Sequence, residues 1–269
     1  MFERTKIVVF GAGILLAGQP AAAQENWPKR VSAVYRVGVP IVGSIGKFEF
    51  SSRIPGNIYE IEGRGELKWS IVGLNWKGTL RSSGIVAGNT FKPELHSFES
   101  ETSSTKSKLK MSFDANGVKP WPEREESPAP TPHNDLVPLK EEHLKNVFDP
   151  ATAAMVLNRA MADNRCGQSI AVLDGIQRFD LKLEFRREMS IPAVPGLQPA
   201  GGFVCGVRYV PIAGHRDNAE TKKMAEQTGY EVAFAPIPDA KLAVPYRISV
   251  PLPIGSITMT LERIEIERR

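Results

Sequence analysis

Alternation dominates this chain. Between Tyr59 and Trp69 the residues Tyr59, Ile61, Gly63, Gly65, Leu67 and Trp69 are apolar or small, while Glu60, Glu62, Arg64, Glu66 and Lys68 fill the positions between them. A period of two describes a strand dry on one face and wet on the other, as in an antiparallel sheet. The pattern returns with Leu109, Met111 and Phe113 against Lys106, Lys108 and Lys110. It returns again with Phe179, Leu181, Leu183 and Phe185 against Asp180, Lys182, Glu184 and Arg186. Tyr246, Ile248, Val250 and Leu252 then precede Ile257, Met259 and Leu261, after which the apolar positions change parity to Ile264 and Ile266. That change predicts a β-bulge near Arg263. Further strands are expected over 31–38, 41–50, 76–82, 90–101 and 203–210.

Helical spacing is clear in one stretch. Ala153, Val156, Leu157, Ala160 and Met161 follow Asp149 as N-cap and Pro150 at the first helical position. A short polar helix over 217–228, closed by Gly229, is expected as well. Strands that succeed one another without intervening helices build meanders rather than βαβ units. The predicted fold is therefore mostly β: an antiparallel open barrel or β-spiral of roughly ten or more strands, with helix 149–162 on its concave side. Gly63 and Gly65 let the sheet curl tightly or leave room above it. Residues 120–138 hold six prolines beside Glu123, Arg124, Glu125 and Glu126, and are expected to form a disordered loop or linker.

The first 23 residues alter this picture. Arg4 and Lys6, an apolar run from Ile7 to Gly18 and the triplet Ala21-Ala22-Ala23 read as a cleavable signal peptide, leaving one β-domain over 24–269. No cysteine stands near the cleavage point, so lipid attachment there is not expected, and the expected location is the periplasm. No later stretch reaches the roughly 20 apolar residues of a membrane-spanning helix. In an exported chain, Cys166 and Cys205, the two cysteines present, are expected to form a disulfide stapling two strands. Closing a loop of about 40 residues stabilises by roughly 3–4 kcal/mol in the chain-entropy model.

The formal net charge of +4 is spread along an interleaved sequence, and nothing points to nucleic acid. Lys106, Lys108 and Lys110 form one local basic face, read as edge protection or as a contact for an anionic surface. His96, His133, His143 and His215 lack metal-site spacing, and no nucleophile elbow or phosphate loop occurs after residue 23, so no metal, cofactor or catalytic residue is expected. Arg178, Asp174, Arg208, Tyr209, His215 and Arg216 gather around the two strands that the disulfide would join, read as turn chemistry at Asp174-Gly175 with a solvated rim or as a site for an anionic group, the former being the favoured reading.

Three segments carry a resemblance: Phe148-Asp149-Pro150-Ala151-Thr152-Ala153, then Val172-Leu173-Asp174-Gly175-Ile176-Gln177-Arg178-Phe179-Asp180-Leu181, then Cys205-Gly206-Val207-Arg208-Tyr209-Val210-Pro211 continuing to Arg216. They resemble the landmarks of a bacterial envelope family known only as a domain of unknown function, thirty-one-oh-eight. The likeness spans most of the chain, from near Tyr35 to Leu261. It implies an exported β protein whose curved sheet is similar to the half-barrels that carry lipoproteins or lipids across the periplasm. No activity or catalytic residue comes with it. The function expected is non-catalytic binding of a lipid, acyl chain or hydrophobic peptide, with inward aromatics such as Trp69 and Trp76 lining the sheet. Two alternatives stand beside it. One is an envelope scaffold that binds a protein partner at a sheet edge or apolar patch. The other is a hydrolase, which requires a Ser or Asp within hydrogen-bond reach of His215 or His96 in a cleft.

Overall fold

Two meanders, joined in the middle, account for nearly the whole sheet. The computed structural model describes residues 27–40, 42–88, 90–119, 121–130, 132–163, 166–252 and 255–268. The expected signal peptide lies outside the described residues. The first meander runs β1 (Arg30–Val39), β2 (Gly43–Arg53), β3 (Ile58–Trp69), β4 (Leu74–Ala87), β5 (Thr90–Thr102), β6 (Lys106–Asp114) and β7 (Gly117–Val118). After β8 (Glu123–Ser127) and helix α1 (Pro150–Asp163), the second meander runs β9 (Ser169–Leu173), β10 (Arg178–Ile191), β11 (Ala200–Ala213), β12 (Glu231–Ile237), β13 (Leu242–Leu252) and β14 (Gly255–Glu267). Helix α2 (Ala219–Glu226) lies between β11 and β12. Pairings between the named strands are all antiparallel, and the meanders join where β1 pairs with β14, giving one open 14-stranded sheet. The expected bulge is present: Val34 faces Arg263 but Tyr35 faces Leu261, leaving Glu262 as the extra residue.

The sheet curls until its two ends meet. Leu109 and Met111 of β6 share a buried cluster with Leu173 of β9, Val118, Leu144 and Val147. Gly175, just beyond β9, packs so closely on Leu109 that a Cβ there would lie 2.5 Å from the leucine side chain. The seam is stitched by the chain leading into α1. Gly117 bridges Lys145, and Phe148 bridges Val172, donating to Ala171 O and accepting from Leu173 N, both at 3.0 Å. The backbone groups of the β9 edge are thus partly paired without a full strand against them.

Four expectations need correction. The Pro-rich segment is not without order: Glu123–Ser127 forms β8 against β6, with Lys108 opposite Glu125 and Lys110 opposite Glu123. The three lysines therefore face the chain's own acidic strand, and cross-strand charge supplies what apolar surface does not. The stretch 170–188, whose alternation reads as one strand carrying Val172 and Phe179 to Phe185, is two strands, β9 and β10, separated by a turn at Asp174-Gly175 in which Asp174 Oδ1 accepts from the backbone N–H groups of Ile176 and Gln177 at 2.8 and 2.6 Å. The room expected above Gly63 and Gly65 is filled, because Phe48, Leu80 and Trp76 press onto those glycines. Lastly, the disulfide does not staple two strands. Cys205 is central in β11, whereas Cys166, at φ 55°, belongs to the connection between α1 and β9. The bond pins the end of the helix to the sheet.

Candidate functional site

Helix α1 enters the concave side of the sheet because its sequence anchors it at three levels. At its start, Asp149 is fully buried, and its Oδ1 accepts from the backbone N–H groups of Ala151 and Thr152, both at 3.0 Å. This is the N-cap expected from sequence. The cap is also the hub of a buried network drawn from three strands. Ser82 Oγ donates to Asp149 Oδ1 at 2.6 Å and lies 2.8 Å from His96 Nδ1. Thr152 Oγ1 donates to Asp149 Oδ2 at 2.6 Å and lies 2.8 Å from the Tyr59 hydroxyl. Burial pushes the Asp149 carboxyl up, but the hydrogen bonds from His96, Ser82 and Thr152 outweigh it and hold the group below the usual carboxylate range.

An ionised carboxylate only accepts, so the proton order follows. Ser82 and Thr152 give their hydroxyl protons to Asp149, which leaves His96 Nδ1–H shared between Ser82 Oγ and Asp149 Oδ1, 3.2 Å away, and Tyr59 O–H donating to Thr152. Ser82, His96 and Asp149 are the residue types of a hydrolytic triad, and Ser82 meets the reach that the hydrolase reading required of His96. The wiring differs, however. A nucleophilic serine passes its proton to a histidine, which a carboxylate orients from the far side. Here one histidine nitrogen, Nδ1, meets both the serine and the carboxylate, the serine proton is committed to Asp149, and all three side chains are buried. The arrangement fixes a helix to a sheet.

Further along, Arg159 Nη1 donates to Lys241 O at 3.0 Å, and its guanidinium sits 5.1 Å from the Trp27 ring centroid. At the end, Met161 Sδ lies 3.9 Å from Cys205 Sγ beside the disulfide, whose Cα atoms are 5.8 Å apart. Between these anchors the helix stands off from the second meander. The gap is an apolar cavity of about 380 Å³, walled by Leu157 of α1, Leu181 and Leu183 of β10, Val207 and Tyr209 of β11, and Ile248 of β13. Met224 of α2 and Tyr230 border it as well. The volume lies in the range of about 300–1,000 Å³ usual for small-molecule sites.

Few polar groups reach this cavity, and the Tyr209 and Glu231 side chains at its wall are already engaged. The Tyr209 hydroxyl donates to Gln177 Oε1 at 2.7 Å, and burial pushes its pKa upward, so it stays neutral. Glu231 is held by Arg187 through two hydrogen bonds of 2.7 and 2.8 Å, which keep its carboxyl below the usual range. What the cavity offers a ligand is apolar surface removed from water.

The other candidate residues are dispersed. Arg178 pairs with Asp180 at 2.6 Å, and Arg216 with Asp135 at 3.0 Å. Asp174 is occupied in its turn, Arg208 is exposed, and His215 Nδ1 is buried without a hydrogen-bond partner. Of the six residues imagined as an anion site, Tyr209 alone lines the cavity. Trp76 lies in the first meander, stacked on Phe98 at 6.5 Å. Trp69 ends β3, packed near Val37, Val39 and Ile45, with its indole N–H buried and unpaired. The sequence carried part of the signal for the buried network: Ser82 occupies an inward position between Leu80 and Gly84, where a polar side chain requires a partner, while a bulge at Glu94 hides the same signal for His96. Among the described residues no group of His, Cys, Asp and Glu is placed to hold a metal ion, and no helix is long and apolar enough to cross a membrane.

A family model described as "Protein of unknown function (DUF3108)" matches residues 32–262. No curated protein matches the chain. Among solved structures, the chain is similar to a β-barrel-like protein of the domain of unknown function DUF1849 from Brucella abortus. That similarity has a TM-score of 0.50 at 9% identity and covers 90% of this chain and 99% of the other. At such identity the likeness concerns the fold alone, and it agrees with the curved sheet seen here.

Proposed function

The chain belongs to the DUF3108 family of proteins of unknown function, and on that premise we propose that it is a non-catalytic periplasmic protein that binds a lipid or acyl chain in the cavity between α1 and the second meander. One observation carries this reading. The cavity is walled mostly by aliphatic and aromatic side chains, and two of the polar groups at its margin, the Tyr209 hydroxyl and the Glu231 carboxylate, are hydrogen-bonded to the protein itself. Such a wall selects for apolar bulk and leaves the headgroup unread. A cavity of about 380 Å³ beside the central helix favours a carrier over a scaffold that binds only through its edge or outer surface. The disulfide suits an oxidising compartment and supports the location.

The test is binding of a fluorescent fatty acid to the purified, delipidated protein, with organic extraction of the undelipidated protein run in parallel. Saturable binding is expected, with an acyl lipid in the extract. Filling the cavity by Ile248→Trp should weaken probe binding at least about tenfold, equivalent to losing burial of about two methylenes. A wild-type protein that neither binds the probe nor yields lipid would refute the reading.

A further inference from the structure

Three hairpin tips sit side by side at one end of the curled sheet. They are the turns β1–β2, where Val39 pairs with Gly43, β3–β4, where Trp69 pairs with Leu74, and β13–β14, where Leu252 pairs with Gly255. Adjacency follows from register: Gly46 of β2 faces Leu67 of β3, and Gly38 of β1 faces Thr258 of β14. The strand β13 that forms one tip also lines the cavity with Ile248 and Val250, so the tips and the cavity share this end.

These tips are uncharged over long stretches. No Asp, Glu, Lys or Arg occurs in 37–46, in 69–76 or in 248–261. The β3–β4 tip is a 3-10 turn over Ser70–Val72, in which Ile71 is 84% exposed and Val72 59% exposed, with Val42 exposed on the neighbouring tip. Ile71, Val72 and Val42 together make an exposed apolar patch at this end of the sheet, the kind of surface that marks an interaction site. Charge resumes just behind the tips, and it is biased. The first charged residues on either side are Arg36 and Lys47, Lys68 and Lys77, and Arg247 and Glu262, so five of the six are basic. The one acid among them, Glu262, is paired with Arg36 at 3.5 Å; behind them Lys47 is paired with Glu49 at 2.9 Å, and Lys77 faces Glu66 and Glu101 on the strands beside it. The opposite end of the sheet instead mixes Arg53 with Glu60 and Arg268 with Asp239 at its turns. An apolar tip backed by tryptophan and a lysine collar is the chemistry of insertion into a bilayer interface carrying negative headgroups.

We propose that this end of the sheet docks on an anionic phospholipid surface, with Ile71 and Val72 inserted among the acyl chains and Lys68 and Lys77 at the phosphates. Resting on the carrier reading, this assigns the end through which ligand is exchanged with a membrane. The test is flotation of the full mature chain with vesicles of phosphatidylethanolamine and phosphatidylglycerol, beside vesicles of phosphatidylcholine alone. The same preparations are titrated with the fluorescent fatty acid. Wild type should float with the anionic vesicles, less so as salt is raised. Ile71→Glu with Val72→Glu should reduce flotation at least about tenfold while leaving probe binding and the melting temperature unchanged. Ile71→Ser with Val72→Ser serves as a second variant at these exposed sites. A wild-type protein that stays in the aqueous fraction overturns docking, and so does undiminished flotation of both variants. Equal flotation with phosphatidylcholine overturns the anionic preference. If light scattering shows that the tips pair two copies and vesicles are ignored, docking also fails. In each of these cases the fatty-acid titration judges the cavity independently.

Discussion

Asp149→Ala is expected to lower the unfolding free energy by about 3–5 kcal/mol, the cost of removing one member of a buried charged network. The size follows from the number of donors left stranded. The hydroxyls of Ser82 and Thr152 and the backbone N–H groups of Ala151 and Thr152 all end on this carboxylate. An unsatisfied buried group costs about 1–3 kcal/mol. Asp149→Asn restores one acceptor but places two donors among donors, and should lie between wild type and alanine. The pH dependence has a definite sign. The folded-state pKa of Asp149 is lowered, so its contribution is fully present above the unfolded carboxyl value of about 3.9 and is lost as pH falls through the folded value. The gap in stability between wild type and Asp149→Asn should therefore be widest near neutrality and shrink below pH of about 4. Urea unfolding at several pH values measures it. A gap that does not change with pH would show that the carboxyl is not ionised in the fold.

Removing the disulfide should have a comparable effect by another route. Cys166→Ser with Cys205→Ser is expected to lose about 3–4 kcal/mol, mostly by freeing the unfolded chain across a loop of this length. The bond spans 39 residues and fastens the end of α1 beside Met161. Loosening it relaxes one wall of the cavity, so fatty-acid affinity should fall alongside stability. Comparing oxidised and reduced wild-type protein in denaturant, with probe titration of each, checks both effects. Stability lost without any change in affinity would uncouple the helix from the cavity.

The sequence disclosed local features well and long-range meetings poorly. Asp149 and Pro150 announced a helix start because capping is settled within one turn of chain. That Tyr59, Ser82 and His96 would converge on the same carboxylate could be stated only once β3, β4 and β5 lay side by side. Strand β12 was missed because Ala233, Phe234 and Ala235 are buried in succession, and burial on both faces erases alternation. Strand β8 was missed for the opposite reason: it has no apolar face, and the charges opposite it on β6 hold it in place. The cavity was not legible, since Leu157, Leu181 and Val207 read as core whether or not atoms fill the space among them. Cys166 was misjudged as a strand residue because its neighbours to Leu173 are β-like, while the left-handed backbone at the cysteine itself leaves no trace in composition.

The junction of β1 with β14, with Tyr35 opposite Leu261, has a consequence for how the molecule comes into being. The middle of the sheet is made from opposite extremes of the chain, so neither meander has its inner border covered until the last strand arrives. Such remote pairing makes for slow assembly. A chain cut short before β14 would present two bare borders at once, on β1 and on β13, each open to pairing with a neighbour.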